Sequence, residues 1–142
     1  MYTTNMALPR DAKVAMLRAA DGVRRRMAGV LAEAGLTLQQ YNVLRILRGA
    51  RPDPLPTLEI ADRMIERTPG ITRLLDGLAR KGLVDRERST EDRRAVLCRI
   101  TPAGLELLGQ LDGPVEASDR GAVAPLSAEE QAKLVELLQR II

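Results

Sequence analysis

Apolar residues recur at Val14, Leu17, Met27, Val30 and Leu31 within residues 9–34, near the 3.6-residue spacing of a helix, and Gly35 supplies a stop. Thr37 and Gln40 form a capping-box pattern that opens a second helix through Tyr41, Leu44 and Leu47, closed by Gly49. Residues 51–56 hold Pro52, Pro54 and Pro56 and predict a loop. Thr57 caps a short helix carrying Leu58, Ala61, Met64 and Ile65. The next helix, residues 68–81, opens with Thr68 as N-cap and Pro69 at the first helical position, where a missing N–H costs nothing. Its apolar face is Ile71, Leu74, Leu75 and Leu78, and Gly82 ends it after Arg80 and Lys81.

The period then changes. Residues 83–88 and 95–100 read as strands, joined by a polar turn (Ser89, Thr90, Glu91, Asp92, Arg93, Arg94) long enough to project. Thr101 and Pro102 open another helix to about Asp112, where Gly113 and Pro114 interrupt it or begin a new segment. Ser127 and Glu130 repeat the capping-box pattern before a last amphipathic helix with Leu134, Leu137, Leu138 and Ile141. The expected class is mainly α with a small β-hairpin.

Composition narrows the chemistry. A chain of 142 residues, 45% hydrophobic, fits one domain over residues 1–142. With no Phe or Trp, its core must be built from Leu, Ile, Val, Met and Ala, which suits helices. No apolar run approaches the roughly 18 residues that span a bilayer, and the N-terminal residues lack the apolar middle of a secretory signal, so a cytoplasmic protein without membrane partners is expected. The single cysteine, Cys98, excludes an intrachain disulfide. The absence of histidine excludes Ser–His and Cys–His nucleophile pairs and any zinc or copper site built from His and Cys of one chain. There is no phosphate-cradling glycine loop and no convincing carboxylate pair. No catalytic residue, metal site or cofactor is therefore expected, and an enzyme is the weakest reading.

Charge is uneven. The chain is +3 overall, but residues 63–99 are +4 and the remainder −1. The positive window coincides with the helix pair and the hairpin, an arrangement suited to duplex DNA, although a solvated mixed-charge surface accounts for a bias of this size equally well. Opposite the apolar face of helix 68–81 lie Pro69, Thr72, Arg73 and Asp76, with Thr68 and Gly70 at the N-terminal end. Arg73 can reach a guanine edge or a phosphate, Thr72 can touch a thymine methyl, and Gly70 lets backbone approach closely. An ordinary amphipathic helix would look the same; the hairpin tip separates the readings. Arg93 and Arg94 suit the negative potential of a minor groove, while Asp92 must orient an arginine or satisfy turn amides. Arg86 and Arg88 either reach phosphates or alternate outward from a half-buried hairpin. Strand alternation places Cys98 with Val96 and Ile100 on the inner face, as a core thiol rather than a sensor.

The run Leu83-Val84-Asp85-Arg86-Glu87-Arg88, then Asp92-Arg93-Arg94-Ala95-Val96-Leu97 and Ile100-Thr101-Pro102-Ala103-Gly104, resembles the MarR (multiple antibiotic resistance regulator) family. Leu58-Glu59-Ile60-Ala61 and Gly70-Ile71-Thr72-Arg73-Leu74-Leu75-Asp76 look like its helix-turn-helix. The resemblance covers residues 36–111 and is architectural at the two ends. It implies a winged helix-turn-helix over residues 37–100, with dimerisation helices at residues 9–34 and 101–142. It also implies a homodimer that represses from a pseudo-palindromic operator in double-stranded DNA and is released by a small anionic or phenolic effector. Arg94 becomes the wing arginine and Asp92 its partner acid. Oxidant sensors of this family carry their cysteine near the N-terminal helix, where this chain has none.

The expected DNA-binding residues are thus Thr68, Pro69, Gly70, Thr72, Arg73, Arg93 and Arg94, oriented by Asp92. Half-sites lie about one helical turn apart. An effector pocket is expected near Tyr41 and the Arg45/Arg48 side of its helix, though those arginines read equally as surface charges; no ligand-binding residue is assigned. Arg24-Arg25-Arg26 covers three sides of a helix turn and reads as a solvated or interfacial patch. The alternative function is a winged-helix protein-interaction module, whose reading head would be acidic or apolar rather than basic.

Overall fold

The computed structural model describes the backbone of residues 2–142 and the side chains of residues 7–142. The described residues form α1 (Tyr2–Ala32), α2 (Leu38–Ala50), β1 (Leu55–Pro56), α3 (Thr57–Arg63), α4 (Ile71–Arg80), β2 (Val84–Arg88), β3 (Val96–Ile100), α5 (Pro102–Ala122) and α6 (Ala128–Gln139). The strands make one antiparallel sheet in the order β1-β3-β2. Among these helices, none is long and apolar enough to cross a membrane.

One core joins the elements. Leu31 of α1, Val43, Leu44 and Leu47 of α2, Ile60 of α3, Leu75 and Leu78 of α4, Val84, Cys98 and Leu108 are all essentially inaccessible. Two helices feeding this core stop in the same way. Gly35 (φ +67) and Gly82 (φ +74) adopt the left-handed conformation that only glycine takes without strain. After each, Leu36 N–H reaches Leu31 O (3.2 Å) and Leu83 N–H reaches Leu78 O (3.0 Å). These are Schellman closures, and each stacks two buried leucines across the turn. The capping boxes at Thr37/Gln40 and Ser127/Glu130 form as expected.

Several local expectations are corrected. α1 starts at Tyr2, not Pro9: the helix runs through Pro9, whose fixed φ is already helical, at the cost of one backbone hydrogen bond and a ring contact with the preceding turn. Part of the proline-rich loop becomes β1: Leu55 pairs with Cys98 and Pro56 with Leu97. Proline is tolerated there because β1 is an edge strand. The sheet is therefore three-stranded rather than a bare hairpin. Thr57 is the first residue of α3 and Pro56 its N-cap. The buried contact of α3 is Ile60, whereas Leu58 and Ile65 point to solvent.

α4 begins at Ile71 rather than at Thr68-Pro69, since Gly70 in the left-handed region (φ +85) breaks the helical path before it. α5 runs through Gly113 and Pro114 without interruption. Leu108, Leu111 and Val115 lie on one buried stripe, so packing on both sides of Pro114 outweighs its lost hydrogen bond. Val14 and Leu17 of α1 and Leu134 and Leu137 of α6 are exposed on the subunit, and α6 buries no residue at all.

Candidate nucleic-acid interface

The N-terminus of α4 is built by the turn that precedes it. Asn42 Oδ1 of α2 accepts from Ile65 N–H (2.9 Å), and Thr68 Oγ1 donates to Glu66 O (3.1 Å). Gly70 then turns the chain, and its carbonyl accepts from Arg73 N–H (2.9 Å) and Leu74 N–H (3.2 Å). Its role is this left-handed cap, a backbone requirement rather than mere thinness. Glycine brings no side-chain acceptor, so the cap leaves amides of the first turn without one. Leu75 and Leu78 anchor the opposite face, with Ile71 and Leu74 half-buried. Pro69, Gly70, Thr72 and Arg73 are exposed and Thr68 is half-buried, so the structure brings all five to one end of α4.

The wing tip is held by its own small side chains. Ser89 N–H donates to Ala95 O (2.9 Å), and Ser89 Oγ accepts from the amides of Glu91 and Asp92 (both 3.2 Å). Asp92 Oδ1 accepts from Arg94 N–H (3.0 Å), an Asx-type closure. Of the two roles open to Asp92, it takes the second: it binds an amide of the turn, and so sets the backbone from which Arg94 projects. Arg88 Nη1 donates to Arg93 O (2.9 Å), bracing the tip from β2. Ser89 gave no sign in the sequence beyond being a turn residue.

Of the two readings of Arg86 and Arg88, phosphate contact or outward alternation, the register does not support the second. Val84 pairs with Ile100, Arg86 with Cys98 and Arg88 with Val96, so both arginines share the inner face of the hairpin. The core ends there, and the available neighbour is the polar side of α4. Arg86 pairs with Asp76 of α4, and Arg88 turns to the wing carbonyl. On the outer face Asp85 sits opposite Arg99, which donates to Pro52 O (2.7 Å).

This pairing sorts the basic window. Arg63 pairs with Glu59, Arg80 donates to the Asp76 carbonyl and Lys81 to the Gly35 carbonyl. With Arg86, Arg88 and Arg99 also engaged, Arg67, Arg73, Arg93 and Arg94 remain. Among the described residues no ion pair or hydrogen bond occupies these four guanidinium groups, and all four side chains are exposed. Arg67, in the α3–α4 turn, was not among the expected residues; the signal for it was its position beside Thr68.

The surroundings expected to hold an effector are engaged internally. Arg48 makes a two-pronged contact with Asp112 of α5 (3.0 Å each). That hydrogen bond holds the Asp112 carboxyl below its ordinary value and raises the Arg48 guanidinium. Arg45 Nη1 donates to Tyr41 Oη (3.1 Å), with its guanidinium 5.9 Å from the ring centre. A groove of about 790 Å³ lies between α1 and α5, lined among others by Arg26, Val30, Glu33, Leu107, Leu111 and Pro114. Cys98 is fully buried, and burial pushes its thiol pKa up, as suits a core thiol.

A winged helix carrying unengaged cations at the start of α4 and at the wing tip has clear relatives. The model of the MarR family matches residues 36–96. The chain is 38% identical to a MarR transcription factor from Planctomyces limnophilus whose crystal structure superposes with a TM-score of 0.74, covering 92% of this chain and 94% of that one. The uncharacterized HTH-type transcriptional regulator YdgJ of Bacillus subtilis is 30% identical over 118 residues, 82% of this chain and 71% of that protein. A mutant of E. coli MarR, crystallised in complex with operator DNA, is 26% identical with a TM-score of 0.83, covering 97% and 96% of the two chains. With the family model matched over the helix-turn-helix and most of the wing, and a MarR transcription factor 38% identical over 92% of this chain, this chain belongs to the MarR family.

Proposed function

We propose that the protein is a homodimeric, sequence-specific repressor. Each subunit lays the N-terminal part of α4 in a major groove and its wing along the adjacent backbone or minor groove. The carrying observation is the sorting of charge: the other cations of the window are engaged by protein groups, while Arg67, Arg73, Arg93 and Arg94 stay open on the two parts of a winged helix that reach DNA. Thr68, Pro69, Gly70 and Thr72 form the backbone and small-residue part of the same surface. Asp92 orients the wing.

Dimerisation follows from unpartnered apolar faces. Leu8, Leu17 and Val23 of α1, Val135 and Leu137 of α6 and the following Ile141 are 44–64% exposed. A helix with an apolar stripe and nothing against it needs a partner, and a second copy supplies a self-complementary one. The winged helix-turn-helix over residues 37–100 is then the reading head and the terminal helices are the base. A small anionic or phenolic effector would act by favouring one head spacing over another; a coupling of about 1–3 kcal/mol suffices.

The test is selection from a genomic-fragment library, followed by binding to the enriched sites over a salt series with wild type and Arg94→Ala. The expected result is a pseudo-palindromic site, with affinity falling steeply as salt rises and a shallower slope for the variant, by about one unit for each phosphate it no longer neutralises. Binding without an enriched sequence, or no binding by a folded dimer, overturns the reading.

A further inference from the structure

α4 is tied to α1 near both of its ends. Before its N-terminus, Arg24 Nε of α1 donates to Glu66 Oε1 (2.9 Å), and Glu66 lies in the α3–α4 turn just ahead of Thr68 and Gly70. At the other end Lys81, the C-cap of α4, gives its ammonium to the carbonyl of Gly35 in the turn that closes α1. Glu66 precedes α4 by five residues and Lys81 follows it directly, so the two ties bracket the helix. The backbone of α1 packs chiefly on α5 and α2, so it is these side chains that reach across to α4.

The same contacts divide the arginine triplet. Arg25 pairs with Asp21 on α1 itself (3.2 Å). Arg26 lies over Gly121 of α5, where a Cβ would sit 2.9 Å from its guanidinium. Arg24 alone turns to the reading head.

We propose that Arg24–Glu66 and Lys81–Gly35 form a two-point clamp that fixes the direction of α4 relative to α1, and thereby sets the half-site spacing the dimer accepts. This rests on the dimeric, DNA-binding reading above. α1 belongs to the dimer base, so any tilt of α4 against it is repeated by the two-fold axis and displaces both heads. Arg24, Glu66 and Lys81 are positioning residues: they need not touch a base to affect which operators fit. Arg24 and Glu66 are both half-exposed, so the loss expected from breaking their pair is at most about fivefold per head, compounded over two heads.

The experiment titrates full-length wild type, Arg24→Ala, Glu66→Gln and the exchange Arg24→Glu/Glu66→Arg against operators with constant half-sites and centre-to-centre spacing varied by single base pairs. Wild type peaks at one spacing. The single variants flatten that peak by up to about fivefold per head while base preference within each half-site is unchanged, and the exchange restores it. An unaltered spacing profile in the single variants, or an equal loss at every spacing, overturns the clamp. A wild type that selects no operator overturns the DNA-binding reading instead. The clamp is then judged on the DNA-free dimer, from the distance between spin labels at Arg80→Cys in a Cys98→Ser background. A distribution broadened by Arg24→Ala supports it; identical distributions, or a protein that forms no dimer, overturn it.

Discussion

The Asp92 carboxylate accepts a 3.0 Å hydrogen bond from the backbone N–H of Arg94, so the acid next to the wing arginine acts on its backbone and not on its guanidinium. This makes two effects of opposite sign separable. By charge alone, removing an acid from a tip that we propose faces DNA strengthens binding. By geometry, losing the Asx closure frees the tip and weakens it. Asp92→Ala is expected to bind operator about three- to tenfold more weakly, the range of one hydrogen bond. Asp92→Asn, which keeps the acceptor and drops the charge, is expected to equal or exceed wild type. Fluorescence anisotropy at one fixed salt concentration checks both; an Ala variant that binds more tightly than wild type would show that charge, not shape, governs this position.

Gly104 is the tightest glycine in the fold. A Cβ there would lie 2.6 Å from Leu83 O and 2.7 Å from Ile100 Cγ1. Both neighbours are fixed: Leu83 O accepts from Thr101 N–H (3.0 Å), and Ile100 is buried. Gly104→Ala is therefore expected to destabilise the protein by about 1–3 kcal/mol through overpacking. Gly109, one turn and a half further along α5, meets nothing within 4 Å, and Gly109→Ala is expected to stabilise by up to about 1 kcal/mol from helix propensity. Urea midpoints at matched protein concentration test the contrast; equal shifts of the same sign would refute it.

The sequence showed most of this architecture because its punctuation is local. A capping box, a stop glycine or a Thr-Pro helix start acts over a few residues, and Thr37/Gln40, Gly35, Gly82, Thr101 and Ser127/Glu130 all sit where their chemistry requires. What it hid depends on distant partners. β1 exists because β3 lies beside it, and α5 continues past Pro114 because α1 packs along it. Gly70 was legible as a glycine near a helix start, but Thr68-Pro69 offered a competing start, and only the left-handed turn decides between them. The site divides likewise. Arg73, Arg93 and Arg94 stood out by position. The inner-face register of Arg86 and Arg88, and the openness of Arg67, depend on which acids and carbonyls fold against each arginine.

The Arg48–Asp112 contact joins α2 of the reading head to α5, and its pH dependence follows from the sign of the shift. Its hydrogen bond lowers the Asp112 carboxyl pKa, so the contact contributes stability above the ordinary carboxylate range, near pH 4. That contribution is lost as pH falls through the lowered folded-state value. The Asp112 side chain is about half exposed (48%), so solvent screening keeps the effect small. Asp112→Asn is expected to melt below wild type at pH 7, and the gap is expected to close progressively below pH 4. Thermal melts of both proteins across that range check it. A gap that persists undiminished under acid would mean the Asn side chain, rather than the lost ion pair, causes the difference.

α6 is the element whose stability within one subunit is hardest to account for. Its capping box gives it a start and its leucines a stripe, yet no residue of it is buried, and Leu137 and the nearby Ile141 are 44% and 64% exposed. The core spans Met27 to Val115 and includes nothing from α6. Charging the stripe should therefore break the assembly without unfolding the subunit. Leu137→Asp/Ile141→Asp is expected to sediment as a monomer at micromolar concentration, with helical circular dichroism reduced by no more than the share α6 contributes. Such a monomer reads one half-site at a time and loses the effective concentration its partner head supplied, so operator affinity should fall by about a hundredfold or more. A single half-site should show little change between variant and wild type. If the variant stays dimeric, the interface lies away from α6; if it unfolds altogether, the subunit depends on its partner for folding and the core alone does not sustain it.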